Sequence, residues 1–310
     1  MDKYFNIYKG FEKYINSFLK GKEKAVKIAM LSILAGGHII IEDIPGLGKT
    51  TLALTLAHSL DLSFGRIQGT NDLLPPDIIG YEVFDKNSNN LVFKRGPIFN
   101  NIILFDEINR ASPKTQSALL EAMEENGVTY EGHTYSLPKP FMVIATQNPY
   151  DEFGTYPLPE SEWDRFQMRL LIGYPPYSVE RQILKEGSLK NKVNHLKAVI
   201  KKDELLALQE FIRTKIYISD NIYDYLLNIA NHIRESDDVL IGLSTRACLD
   251  IVSIAKVSAF IAKRDYVIPE DIVGLSNYTM PHRIIFKNAY KISDKEALLR
   301  NIIKEVKNPL

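Results

Sequence analysis

The sequence predicts an α/β fold, a parallel sheet with helices on both faces, followed by a smaller all-helical part. Short apolar runs of strand length recur near 39–42, 64–67, 102–105, 141–145 and 168–172, separated by segments of helical period. Several of these runs are apolar throughout rather than alternating, as in strands covered on both faces. Beyond Pro175 and Pro176 the strand-like runs stop, and 179–187, 203–214, 220–235, 244–263 and 293–307 all read as helices.

The first clear helix is 22–35, KEKAVKIAMLSILA, where Ala25, Val26, Ala29, Met30, Ile33 and Leu34 fall on one face before Gly36 and Gly37 stop it. A strand at 39–42 then enters the turn of IIIEDIPGLGKTT, and a helix runs from Lys49 to Leu60. Ser112 is placed to cap a helix that begins with Pro113, repeats Ala118, Leu119, Ala122 and Met123 at helical spacing, and ends at Gly127. Alternation around Glu131, Gly132 and His133 predicts a hairpin. Asp203, Ser219, Ser244 and Ser293 are the N-cap candidates of the later helices. The domain boundary expected from this pattern separates an α/β unit, 1–174, from a helical unit, 175–310.

Composition narrows the class of function. At 310 residues, 45% hydrophobic and 25% charged, the chain is long enough for about two globular domains. Lys plus Arg and Asp plus Glu both number 38, so no global field draws it to nucleic acid or an anionic membrane. The single cysteine, Cys248, fits a reducing compartment. The opening MDKYFNIYKGFEKYINSFLK has neither the apolar core of a signal peptide nor that of an anchor, and a cytoplasmic protein without membrane insertion is expected. The six histidines, at 38, 58, 133, 195, 232 and 282, show no metal-ligand spacing.

The glycine turn carries the first chemistry. A strand, a tight turn and a helix N-terminus gather backbone N–H groups and the positive end of the helix dipole around one point, which suits phosphate oxygens. Pro45, Gly46, Leu47, Gly48, Lys49, Thr50 and Thr51 would line it, with Lys49 reaching the terminal phosphates and the Thr50 hydroxyl on Mg²⁺. Asp43 stands where the consensus loop has its first glycine, and near a phosphate its charge would repel, so it must point away. The second element is IILFDE at 102–107, an interior strand with two acids at its carboxyl end, in the ligand crevice of such sheets. Asp106 would hold the Mg²⁺ shell, and Glu107 would orient and deprotonate the attacking water.

The text running on from those acids, DEINRASPKTQSALLEAMEE, together with ATQNPYDEFGTYPLPESEWDRF at 145–166, resembles the MoxR family of AAA+ ATPases. The likeness extends through RIQGTNDLLPPDIIG, RGPIF, GLSTRA and AKRDYVIPEDI over nearly the whole chain. The resemblance implies a RecA-like P-loop core with a helical lid, assembly into a homo-oligomeric ring, often hexameric, and ATP and Mg²⁺ held between subunits. It assigns Asn148 to the sensor that holds the water with Glu107, Arg165 to the arginine finger offered to a neighbour, and Arg246 to the second sensor. It places the insertion in the second helix at about 68–97 and a hairpin at about 127–140. It implies chaperone-like activation of von Willebrand-type metal-binding partners.

Read from the residues alone, Arg165 between Asp164 and Phe166 is more often a local ion pair than a finger, and Arg246, in the first turn of its helix, suggests an anionic partner because a cation there opposes the dipole. Whether Arg246 serves its own or an adjoining nucleotide stays open. Gln68 could restrain Glu107, Asn109 and Arg110 could reach a subunit interface, and Lys22 stands where relatives commonly carry glutamine. A nucleic-acid motor and a nucleotide-gated scaffold are the alternatives. The neutral charge balance weighs against the first and the intact catalytic set against the second, while a GTPase would need an Asn-Lys-x-Asp motif that the sequence lacks.

Overall fold

The computed structural model describes residues 1–310 except 88, 150–153, 188–192, 194, 195, 289–291 and 310. The chain opens with α1 (Asp2–Phe18), α2 (Glu23–Ala35), β1 (Ile39–Glu42), α3 (Lys49–Ser59) and β2 (Phe64–Gln68). Then come α4 (Pro75–Ile79), the strands β3 (Gly80–Asp85) and β4 (Asn90–Arg95), β5 (Ile102–Asp106) and α5 (Pro113–Glu125). The strands β6 (Gly127–Tyr130), β7 (His133–Ser136) and β8 (Met142–Gln147) lead through α6 (Glu160–Trp163) to β9 (Met168–Leu170). A largely helical part follows, with α7 (Tyr177–Glu186), α8 (Lys202–Lys215), α9 (Asp220–Glu235), β10 (Val239–Ile241) and α10 (Thr245–Ile261). It closes with α11 (Pro269–Val273), α12 (Ser276–Thr279), β11 (Ile285–Phe286) and α13 (Ile292–Glu305).

Five strands form one sheet in the order β2-β5-β8-β1-β9, every pairing parallel. The two-residue period of a strand divides their apolar side chains between two cores. Ile39, Ile41, Ile102, Leu104, Ile144, Met168 and Leu170 enter one cluster, and Ile40, Ile103, Phe105, Val143 and Ala145 the other. The first cluster runs on through α1, α2 and α3 into α8, α9 and α10, with Phe11, Leu31, Leu208 and Phe260 enclosed in it. Each such side chain removed from water contributes ~1.5–3 kcal/mol. Tyr4 lies 4.8 Å from Phe211, and Gln209 Nε2 donates to the Ile33 carbonyl at 2.6 Å, so the N-terminal helices and the helical part share a core.

The strands of the parallel sheet follow the sequence pattern, but the part expected to be all-helical also holds an antiparallel pair, β10 against β11, too short to show as an apolar run. Helix α1 escaped that pattern although Tyr8, Phe11 and Ile15, at spacings of three and four, are its buried stripe; the flanking lysines mask the periodicity. The insertion near 68–97 holds α4 and a hairpin, β3 against β4, with Phe84 opposite Leu91. Both faces of that hairpin are partly exposed, so its alternation is weak. Ser112 and Ser244 accept from Thr115 N at 3.4 Å and Ala247 N at 2.9 Å, as capping residues do. Asp203 does not cap α8: the N-cap is Lys201, and the Glu204 carboxylate accepts its N–H at 3.1 Å. Asn126, with φ 50°, rather than Gly127 takes the left-handed position after α5, because Gly127 already pairs in β6.

His38 sits at the entry to β1 as a buried, neutral hinge between layers. Its Nδ1 accepts from Val143 N at 3.0 Å, and Nε2 lies 3.4 Å from the Met123 carbonyl, which only an Nε2–H can satisfy. Burial pushes its pKa down to about 4. The folded value lies below the unfolded value of about 6.5, so the folded state binds fewer protons, and stability present above that unfolded value is lost as pH falls toward the folded one. Denaturant unfolding should therefore show about 2 kcal/mol lost by pH 5 and about 3 kcal/mol by pH 4 from this group. His282, also buried and held low by desolvation and by Arg283, adds in the same direction. An acid slope that His38→Gln leaves unchanged would contradict the assignment.

Candidate active site

The strand-turn-helix from β1 to α3 places the glycine turn at the carboxyl end of the sheet. Gly46 and Gly48 have φ of 89° and 85°, a left-handed backbone that suits glycine, and a Cβ built on either meets nothing within 4 Å. The turn opens on a cavity of about 770 Å³ lined in part by Leu19, Lys22, Pro45, Thr51 and Tyr174. That volume lies in the range of small-ligand sites. Asp43 does point away: Oδ1 accepts from Ile44 N at 3.0 Å and Oδ2 from Gly173 N at 2.7 Å, tying the turn to the chain after β9. Its backbone carbonyl accepts from Lys49 Nζ. Burial lowers the Lys49 pKa while Asp43, Asp106 and Glu107 oppose that shift, so its charge is held beside three carboxylates.

Lys22 reaches the Gly173 carbonyl at 2.9 Å and lines the same cavity, so the lysine in place of glutamine fastens the strap that walls the site.

Asp106 ends β5 and Glu107 follows it, beside the ends of β8 and β2. Glu107 N donates to Thr146 Oγ1 at 2.9 Å, and Thr146 Oγ1 donates to Asp106 Oδ1 at 3.3 Å. One hydroxyl on β8 therefore fixes both acids, a role the sequence reading did not foresee. Glu107 takes φ 57°, and a Cβ on Gly69 would stand 2.1 Å from its carbonyl oxygen, so only glycine lets the end of β2 approach so closely. Gln68 Nε2 donates to Glu107 Oε2 at 3.2 Å, as the sequence suggested, and Arg110 Nε lies 3.2 Å from the same oxygen. Arg66 Nε donates to Asp106 Oδ2 at 2.9 Å. Asn148, half-buried, directly follows β8, the strand paired with β5. Asn109 is 3% exposed, which corrects its expected place at an interface, whereas the Arg110 side chain remains 42% exposed.

The set fits a nucleoside triphosphate with a divalent cation. The turn offers open main-chain space, Lys49 a cation, and the Thr50 hydroxyl and Asp106 carboxylate hard oxygen donors.

Arg165 and Arg246 lie elsewhere. Arg165 Nη1 is 2.7 Å from Glu124 and donates to the Leu120 carbonyl at 3.1 Å, and Arg165 Nε is 2.6 Å from Glu162. Arg246 pairs with the same Glu124. Asp164, the flanking acid, instead accepts from Ser244 at 2.7 Å. Both arginines line a cavity of about 210 Å³ with Gly37, His38 and Gln167, at the amino ends of β1 and β9. The glycine turn leaves the other end of β1, a strand of four residues and so roughly 13 Å long.

Comparison with known proteins agrees with this architecture. Residues 38–168 match the model of the ATPase family associated with various cellular activities (AAA), and residues 231–302 match the AAA lid domain. The chain is 41% identical over 300 residues to the uncharacterized protein YeaC of Bacillus subtilis, covering 96% of this chain and 93% of that one. It is 35% identical over 280 residues to Chaperone MoxR1 of Mycobacterium tuberculosis, covering 87% and 74%. A solved structure from Cytophaga hutchinsonii, described as a candidate ATPase, superposes with a TM-score of 0.90 at 36% identity, over 99% of this chain and 96% of that one.

Proposed function

The chain belongs to the MoxR family of AAA+ ATPases, and from that premise we propose that it hydrolyses ATP between neighbouring protomers of a ring and uses the cycle to remodel partner proteins. The observation that carries the reading is the separation just described. Arg165 and Arg246 converge on Glu124 at the end of β1 opposite the glycine turn, which supports their supply to a phosphate site by a second copy. On this reading both act in trans.

Within one protomer, backbone amides of Gly46 to Thr51 and the Lys49 ammonium would hold the triphosphate. Thr50 and Asp106 would hold Mg²⁺, which supplies charge neutralisation at the phosphates when bound. Glu107 accepts the proton of the attacking water, and Asn148 orients that water from the adjoining strand end. Gln68 and Arg110 hold the Glu107 carboxylate before the water is in place. The neighbour's Arg165 offsets the charge that grows on the transferred phosphoryl group. The 1–174 unit supplies the phosphate site and the 175–310 unit the lid. The protein named Chaperone MoxR1 supports a chaperone-like role, and family resemblance favours von Willebrand-type metal-binding proteins as partners of a six-membered cytoplasmic ring.

ATPase activity per subunit should rise with protein concentration and then level off as rings fill. Trp163, two residues before Arg165 and half-buried, should change its emission over the same range. Activity per subunit that stays flat across a dilution series spanning the assembly threshold would remove the trans reading.

A further inference from the structure

Arg165 stands between two residues that are both fastened to the helical part. On its amino side, Asp164 Oδ2 accepts from Ser244 Oγ at 2.7 Å. On its carboxyl side, the Phe166 carbonyl accepts from Arg283 Nη2 and from His282 Nε2, each at 2.8 Å. Since a carbonyl only accepts, His282 carries its proton on Nε2, and the 3.3 Å approach of Arg283 Nε to that nitrogen is a contact and not a hydrogen bond. Gln167 continues the pattern, its Nε2 lying 3.4 Å from Asp250 Oδ1 on α10.

Arg283 is the centre of this joint. Its side chain is 0% exposed, Nη2 also donates to Asp250 Oδ2 at 2.7 Å, and Nη1 lies 3.6 Å from Asp164 Oδ1. That last distance is too long for a hydrogen bond, and neither atom has another hydrogen-bond partner. A wholly enclosed guanidinium is a costly way to join two segments that apolar packing could hold. What the planar fork of Nη2 adds is direction: its two N–H bonds fix one carbonyl and one carboxylate relative to each other, and the carbonyl belongs to the residue after Arg165. Arg165 itself meets α10 again through Glu124, which it shares with Arg246. The turn is thereby referenced to the helical part at three points, Asp164, Arg165 and Phe166.

We infer that Arg283 is a positioning residue for trans hydrolysis: it locks the 164–166 turn to the helical part, so that Arg165 and Arg246 are presented to the neighbouring protomer as one unit. The inference rests on the trans reading of Arg165. Arg283 touches no nucleotide in this arrangement; its effect passes through the turn.

Subunit mixing tests it. Arg283→Lys keeps a charge in the joint and loses the fork. Alone it should lower the ATPase rate by roughly 10²-fold, the scale of a small misplacement at a reacting centre, with affinity for a fluorescent ATP analogue unchanged. Adding excess Glu107→Gln protein, which hydrolyses only slowly but carries an intact turn, should restore turnover at the Arg283→Lys sites beyond the sum of the two variants alone. Full activity of Arg283→Lys alone, loss of analogue binding, or no recovery on mixing overturns the inference. Arg165→Ala mixed with Glu107→Gln separates the two levels. If that pair also fails to recover, the trans reading falls and this inference with it; if it recovers and Arg283→Lys does not, only this inference falls. Should Arg283→Lys not fold, Asp250→Asn, whose side chain is 28% exposed and which keeps an oxygen for Arg283, goes through the same mixing with the same expected recovery.

Discussion

Glu107→Gln should lower turnover of ATP by roughly 10²- to 10⁴-fold while leaving ATP bound. The substitution keeps the length and shape of the side chain, and its amide oxygen can still accept from Gln68, which now donates to Glu107 at 3.2 Å. What it removes is the ability to take a proton. The backbone at 107 stays where Thr146 fixes it, through the 2.9 Å bond from Glu107 N, and Asp106 keeps both Thr146 and Arg66. Lys49 and the glycine turn are untouched, so the dissociation constant for ATP should move by no more than a few-fold. Single-turnover hydrolysis and equilibrium binding of a fluorescent ATP analogue separate the two quantities. Turnover within tenfold of the unaltered protein would mean that another group is the base.

The parts of this site that lie close together in the sequence were the parts legible in it. Strand, turn and helix from Ile39 to Thr51 are contiguous, and each carries its own signal: an apolar run, two glycines at positive φ, and a lysine at a helix start. Asp106 and Glu107 follow an apolar run, 102–105, directly. Parallel pairing then brings these ends together, as the repeated apolar runs imply. The groups that were not legible act across long separations. Arg66 meets Asp106 at 40 positions' distance, Arg246 meets Glu124 at 122, and Arg283 meets the Phe166 carbonyl at 117. Spacing says nothing about which acid a distant arginine will find, because that is decided by how the layers stack. Neither Glu124 nor Arg283 lies in a stretch whose pattern marks it as a partner of these groups. Asp43 shows the same limit from the other side. Its charge beside a phosphate loop argued against the motif until Gly173 and Ile44 supplied the N–H groups that turn it away.

Arg165→Ala should lower the maximal ATPase rate by roughly 10³-fold or more, the effect of removing a guanidinium supplied in trans to a phosphoryl transfer. ATP affinity in isolated protomers should be unaffected, because the side chain lies at the far end of β1 from the glycine turn. The fold should also survive. Arg165 is paired with Glu124 at 2.7 Å and Glu162 at 2.6 Å, and its side chain is 24% exposed. Partly exposed pairs of this kind contribute about 0–1 kcal/mol, and Glu124 keeps Arg246 as a partner when Arg165 is gone. Arg165→Lys should recover only a small part of the rate: an ammonium restores charge but not the two-pronged geometry that suits phosphate oxygens. The rate of Arg165→Ala should no longer rise with protein concentration, even where Trp163 emission reports that rings form. A maximal rate within about threefold of the unaltered protein in assembled rings would assign Arg165 to the local ion pair with Glu162 and Glu124, and the neighbour's contribution would have to come from Arg246 alone.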